Sequence, residues 1–143
     1  MRELDAPRPV AGWFVFAALA ALLFMALGCI SYLVHVLANP AALPLDQRAA
    51  YAAEPAWVTG AYAVAVWFGL VGALLLVMRR RVAERVLLGS LIATLVWLAG
   101  LLLVSGLREA MSVNDFVVAI VVTALTWTIY AFARHSRQRG WLR

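Results

Sequence analysis

The stretch "SYLVHVLANP", which begins at Ser31, places a tyrosine and a histidine at the far end of a long apolar run. Gly28, Ser31, Tyr32 and His35 recur at i, i+3, i+4 and i+7 and so share one face of a helix, with Cys29 beside them. Thr123, Thr126, Trp127 and Tyr130 repeat that spacing near the C-terminus. Facing one another, two such stripes would line a polar crevice for a neutral, hydroxyl-bearing solute. An imidazole there would add a group that changes charge roughly between pH 5 and 8. The plainer reading makes His35 an interfacial side chain. Pro40 follows within a few residues, Tyr32 suits the aromatic belt of a bilayer, and Ser or Thr can bond the carbonyl four residues back. The plainer reading is preferred: His35 is expected to mark where its helix meets water.

Other chemistries find little footing. A haem bundle needs facing histidines, but the second histidine, His135, lies beyond the last apolar run. Cys29 is the single cysteine, so an internal disulfide or a CxxC redox pair is excluded. No apolar run contains Asp or Glu, whereas small multidrug-resistance transporters and most proton or ion relays use such a buried group. No metal-ligand spacing and no Gly-rich phosphate loop occurs. Nothing in the spacing supports a Ser–His–Asp arrangement. The expectation is therefore a non-enzymatic protein without metal or cofactor.

The elements that must position these side chains follow from composition. Of 143 residues, 66% are hydrophobic and 13% charged, against about a quarter charged in soluble proteins. So much apolar surface has no place in a soluble core of this size. Spanning a bilayer takes about 20 apolar residues. Four runs qualify, at 13–37, 55–78, 86–107 and 116–133. Each must be helical, because hydrocarbon offers backbone groups no other partner. The expected fold is a single all-α domain over 1–143, an integral membrane antiparallel four-helix bundle. The first run is read as a span rather than a cleaved leader, since Ala26 fits the lipobox of "MALGC" poorly and apolar residues continue past Cys29.

Charge sets the expected orientation. Arg2, Arg8, Arg79, Arg80, Arg81, Arg85, Arg134, Arg137, Arg139 and Arg143 fall on one side, and only Arg48 and Arg108 on the other. By the positive-inside rule both termini and the "RRRVAER" loop face the cytoplasm, with Arg79, Arg80, Arg81, Arg85 and Arg134 as topology anchors. The net charge of +5 is thus a membrane signature. No stripe of basic and aromatic residues suggests nucleic acid. "RRRVAER" and "SGLREAMSVND" are expected as tight turns, with Ser112 and Asp115 spaced as a capping box. Asn39-Pro40 should end the first helix and Pro55 should lie in the first turn of the second. Between them, "PLDQRAAYAAE" has the propensity for one short surface helix.

Helices in lipid approach closely through small residues. Ala61, Ala65, Gly69 and Ala73 form a ridge at a spacing of four, and Gly89 and Ala93 form a second. Such ridges usually pack inside the bundle, with a dimer face as the alternative, and the ridge alone does not choose between them. Leu75 is expected to face lipid. Trp67, Trp97 and Trp127 fall near mid-membrane and are assigned to packing or lipid contact rather than to a ligand.

The segment "EPAWVTGAYAVAVWFGLVGALLLVMRRR" and the closing "RGWLR" resemble a family of small bacterial four-helix inner-membrane proteins, sometimes loosely labelled sugar transporters. The resemblance covers nearly the whole chain and implies a multi-pass inner-membrane protein, but carries over no site residue. The small-residue ridges and the lack of buried charge point to a non-enzymatic accessory or assembly partner. A small neutral-solute, sugar-like transporter working as an oligomer is the alternative. The partners expected are the lipid bilayer and either further copies of this chain or a larger membrane complex.

Overall fold

A computed structural model describes residues 9–143; Arg2 and Arg8 lie outside them. Among these residues the fold is all-α. Helix α1 (Trp13–Leu37) carries no charged residue and ends where Ala38 and Asn39 turn extended ahead of Pro40. Backbone before a proline is driven out of the helical region, which makes this stop sharp. A 3-10 turn (Pro40–Ala42) leads to the short helix α2 (Leu45–Ala53), in the segment "PLDQRAAYAAE" with its helical propensity. Pro55 then caps α3 (Ala56–Val77), one residue before its first turn. Helices α4 (Val82–Leu103), α5 (Ser105–Ala110) and α6 (Val113–Gln138) complete the chain.

Four of these helices, α1, α3, α4 and α6, are long and apolar enough to cross a membrane. Two connections differ from expectation. The turn after α3 occupies only Met78–Arg81, with Arg79 at φ 58°. "VAER" is already the first turn of α4, so that span begins and ends earlier than 86–107. Glu84 sits in this first turn, where a carboxylate complements the helix dipole, and accepts a bond from Arg137 Nη1 of α6 at 2.6 Å. The second connection holds a helix of its own, α5, instead of a bare turn. The Ser112–Asp115 capping box then starts α6, which runs past residue 133 to Gln138.

Helix α3 lies between α1 and α4, and α6 packs on the far side of α4. The small residues explain that order. Ala65, Gly69 and Ala73 are buried and Ala61 half-buried, and Ala93 is buried on α4. A Cβ at Gly69 would stand 2.5 Å from Met25 Sδ of α1 and 3.0 Å from Ser90 Oγ of α4. The ridge is therefore where three helices meet. Gly72 meets Leu87, and half-buried Gly89 meets the ring of Phe68. Polar bonds cross the same seams: Ser90 Oγ donates to Ala65 O at 2.6 Å, and the Cys29 thiol to Val66 O at 3.3 Å. Leu75, expected to face lipid, is instead half-buried against the core around Ala73 and Leu76.

Both ends are tied. At the arginine end, Trp141–Arg143 lies along the α3–α4 turn. Arg81 N donates to Arg143 O at 2.8 Å, and Arg143 N to Arg79 O at 2.6 Å. Leu142 is buried beneath this lacing. At the opposite end α2 packs on α5, around Leu107 and Val58, and roofs the bundle.

Candidate functional site

Because α1 rests on α3 and α6 on α4, α1 and α6 share no extended packing. They meet at the arginine end, where Phe132 of α6 lies 5.5 Å from Phe14 and 5.6 Å from Trp13, with Trp141 edge-on to both α1 rings. Between this aromatic cluster and the α2–α5 roof they border a cavity of about 780 Å³, whose floor lies at Phe24, Met25, Val122 and Thr126. Leu27 and Ser31 of α1, and Asp115 and Val118 of α6, line it and are themselves exposed. The cavity therefore opens sideways between α1 and α6. It is blind towards the arginine end.

Its lining changes along its depth. Nearer the floor stand Phe24, Met25, Val66 and Val122, with Thr94 and Thr126 as the polar members. Both threonines donate into their own helices, Thr94 to Ser90 O and Thr126 to Val122 O, each at 2.8 Å. Nearer the roof stand Ser31, His35, Gln47, Tyr51, Glu54, Tyr62 and Asp115. The polar groups are gathered at one end.

His35 Nε2 and Glu54 Oε2 are 2.7 Å apart, with side chains 27% and 10% exposed. The position of His35 follows from α1, which places it one turn above Ser31. The position of Glu54 follows from Pro55, which forces the preceding residue extended and so aims the carboxylate back across α1. The Tyr51 ring lies over the imidazole at 4.5 Å. Burial pushes the Tyr51 phenol up, and the Glu54 charge adds to the shift, so it stays a protonated donor. Tyr62 is stacked on Trp97 at 5.3 Å and meets Tyr32 edge-on at 5.4 Å. An aromatic wall thus runs from α1 through α3 to α4.

Of the residues singled out by sequence, Ser31, His35 and Thr126 come together in the cavity. Tyr32 supports the wall from behind through Tyr62. Thr123 bonds Ala119 O and lies, with Trp127, in a shallow apolar groove between α4 and α6. Tyr130 packs against the core nearer the arginine end. The two stripes therefore do not face each other along their length. Trp67 and Trp127 are exposed on the bundle surface, while Trp97 belongs to the cavity wall.

Glu54 and Tyr62 were missed by sequence, and Asp115 was read only as a capping residue, because each belongs to a boundary or an apolar face. The signal for Glu54 was its place before Pro55, opposite the end of α1. Among the described residues no hydrogen bond joins Ser31 to His35, and no three His, Cys, Asp or Glu side chains group as metal ligands. The arrangement offers a hydrogen-bonded polar head, an aromatic wall and an apolar depth. No family model, curated protein or solved structure matches the chain.

Proposed function

We propose that this chain is a non-enzymatic, multi-pass protein of the bacterial inner membrane that binds a small guest between α1 and α6. The observation that carries the reading is the blind, side-opening cavity with the His35–Glu54 pair at its polar end. A guest dissolved in the bilayer reaches such a site without crossing water. Sites for small molecules are typically concave and mostly apolar, with a few placed polar groups. The cavity lining stops short of the arginine end, where ring contacts join α1 to α6, which suits capture and presentation better than a continuous path. A sugar-like solute passing through an oligomer would need those contacts to part.

The accessory role is the second reading. The ridges that motivate it are spent on packing inside the bundle. Its support is the outward face of α1, where Phe16, Leu23, Ile30 and Leu37 are exposed at a spacing of seven. Native mass measurement of the protein released from gentle detergent tests both. One chain, or a symmetric set of chains, carrying extra mass of a few hundred daltons supports the guest reading. Guest-free chains locked into a heteromeric complex overturn it in favour of the second.

A further inference from the structure

The charge around the cavity says which guest it takes, on the reading that it takes one. The lining contains two carboxylates, Glu54 from the α2 end and Asp115 from α6, and no arginine. The two arginines at this end are turned to backbone carbonyls. Arg48 donates to Leu43 O at 2.8 Å and Ala41 O at 2.5 Å, and Arg108 to Leu102 O at 3.4 Å. His35 is the one basic group in the lining and is already bonded to Glu54. The other titratable groups facing the cavity are the phenols Tyr51 and Tyr62; α4 and α5 contribute none. Glu54 is likewise paired with His35, and Asp115 with the Ser112 cap. An anionic head placed here would still meet two carboxylates and no further cation to receive it. A cationic head meets the carboxylates and the rings of Tyr51, Tyr62 and Trp97, each with one face already taken by His35 or by its stacked neighbour. Aromatic faces attract cations most when water is excluded.

We propose that the cavity binds an amphiphile with an amine or other organic cation as its head. The head lies at Glu54 beside the aromatic wall, and the apolar body lies down the seam between Phe24, Met25, Val118 and Val122. The same chemistry is met in an amine-headed lipid and in a free lipophilic cation.

The test uses the full chain in a neutral maltoside detergent with tetraphenylphosphonium and tetraphenylborate, two ions of similar shape and opposite charge. Binding is read by equilibrium dialysis, as the component that excess unlabelled ion displaces. Saturable binding of the phosphonium at least tenfold tighter than that of the borate is expected. Glu54→Gln should weaken it at least tenfold, and Glu54→Asp, which keeps the charge, by less than threefold. Asp115→Asn is read beside its own thermal melt, since Asp115 also caps α6. If Glu54→Gln fails to fold, Trp97→Phe still reports on the wall, and the phosphonium-to-borate ratio of the parent still reports on the charge. In native mass spectra, an amine-headed lipid that the phosphonium displaces assigns the guest to the bilayer. Phosphonium binding to a lipid-free protein assigns it to free cations. Equal binding of both ions overturns the cationic head while leaving the guest reading intact. No saturable binding of either ion, with a co-purifying guest that carries no cationic head, does the same. No binding and no co-purifying guest overturn both.

Discussion

At the scale of single residues, the firmest constraint is space at Gly69. A Cβ there meets the flexible end of Met25 at 2.5 Å and Ser90 Oγ at 3.0 Å. Met25 can yield to a single methyl, but the whole side chain of Gly69→Leu presses α3 away from α1 or α4. Overpacking of this kind costs roughly 1–3 kcal/mol. Leu74 on the same helix is 49% exposed, and its truncation should stay within about 0.5 kcal/mol. Thermal melts in one detergent should therefore rank Gly69→Leu well below Leu74→Ala, and an equal or inverted ranking removes the ridge from the packing. His35 gives a second residue-level expectation. Glu54 is nearly enclosed, and deleting its donor leaves a buried carboxylate short of a partner, at a cost of roughly 1–3 kcal/mol. His35→Leu should lower the melting temperature, while His35→Gln, whose amide can still donate to Glu54, should stay near the parent. Matching losses in the two variants would show that the hydrogen bond does not matter. His35 was legible as a polar residue at a helix end, but its partner was not. Nineteen positions separate it from Glu54, and nothing in local periodicity reports a bond across a roof that only the tertiary fold creates.

At the scale of elements, the four spans were legible because apolar length is a direct physical requirement of lipid. The breaks within connections were harder to read. Helix α5 is six residues long, too short to show a period, and it exists because Leu107 buries itself against Val58 and Ala119 under α2. The cavity depends on the same roof. Asp115 accepts from Ser112 N at 2.9 Å and Ser112 Oγ accepts from Asp115 N at 3.3 Å, which fixes where α6 begins. Ser112→Ala removes the side-chain half of this box and should cost about 1 kcal/mol. Amide exchange measured by mass spectrometry should then quicken in the first turn of α6 and in α5, with α3 unchanged. Exchange that quickens everywhere, or nowhere, would show that the cap does not set the roof. The small-residue ridges fall on α3 and α4, and sequence left open whether they served the bundle or a second chain. Only the location of Met25 and Ser90 against Gly69 decides that they serve the bundle.

At the scale of the whole molecule, charge is unevenly shared between the two ends, and the fold gives this a structural consequence. The end with Arg79, Arg80, Arg81, Arg85, Arg134, Arg137, Arg139 and Arg143 is also the end where the tail is laced to the α3–α4 turn and where aromatic rings join α1 to α6. The opposite end, with Arg48 and Arg108 as its only arginines among the described residues, carries the roof and the cavity. Arginine flanking an apolar span resists translocation, so the arginine end should stay in the cytoplasm. The cavity would then open in the outer half of the bilayer, with Glu54 and Asp115 near the external headgroups. Two fusions check this. A reporter active only in the cytoplasm, joined after Arg143, should be active. A reporter active only outside, inserted between Pro44 and Leu45 in the α1–α2 connection, should be active as well. Exchanging the two reporters should silence both. External activity at the C-terminus would invert the molecule. The cavity would then face the cytoplasmic leaflet, and its guest would have to be sought among the lipids and cations of that side.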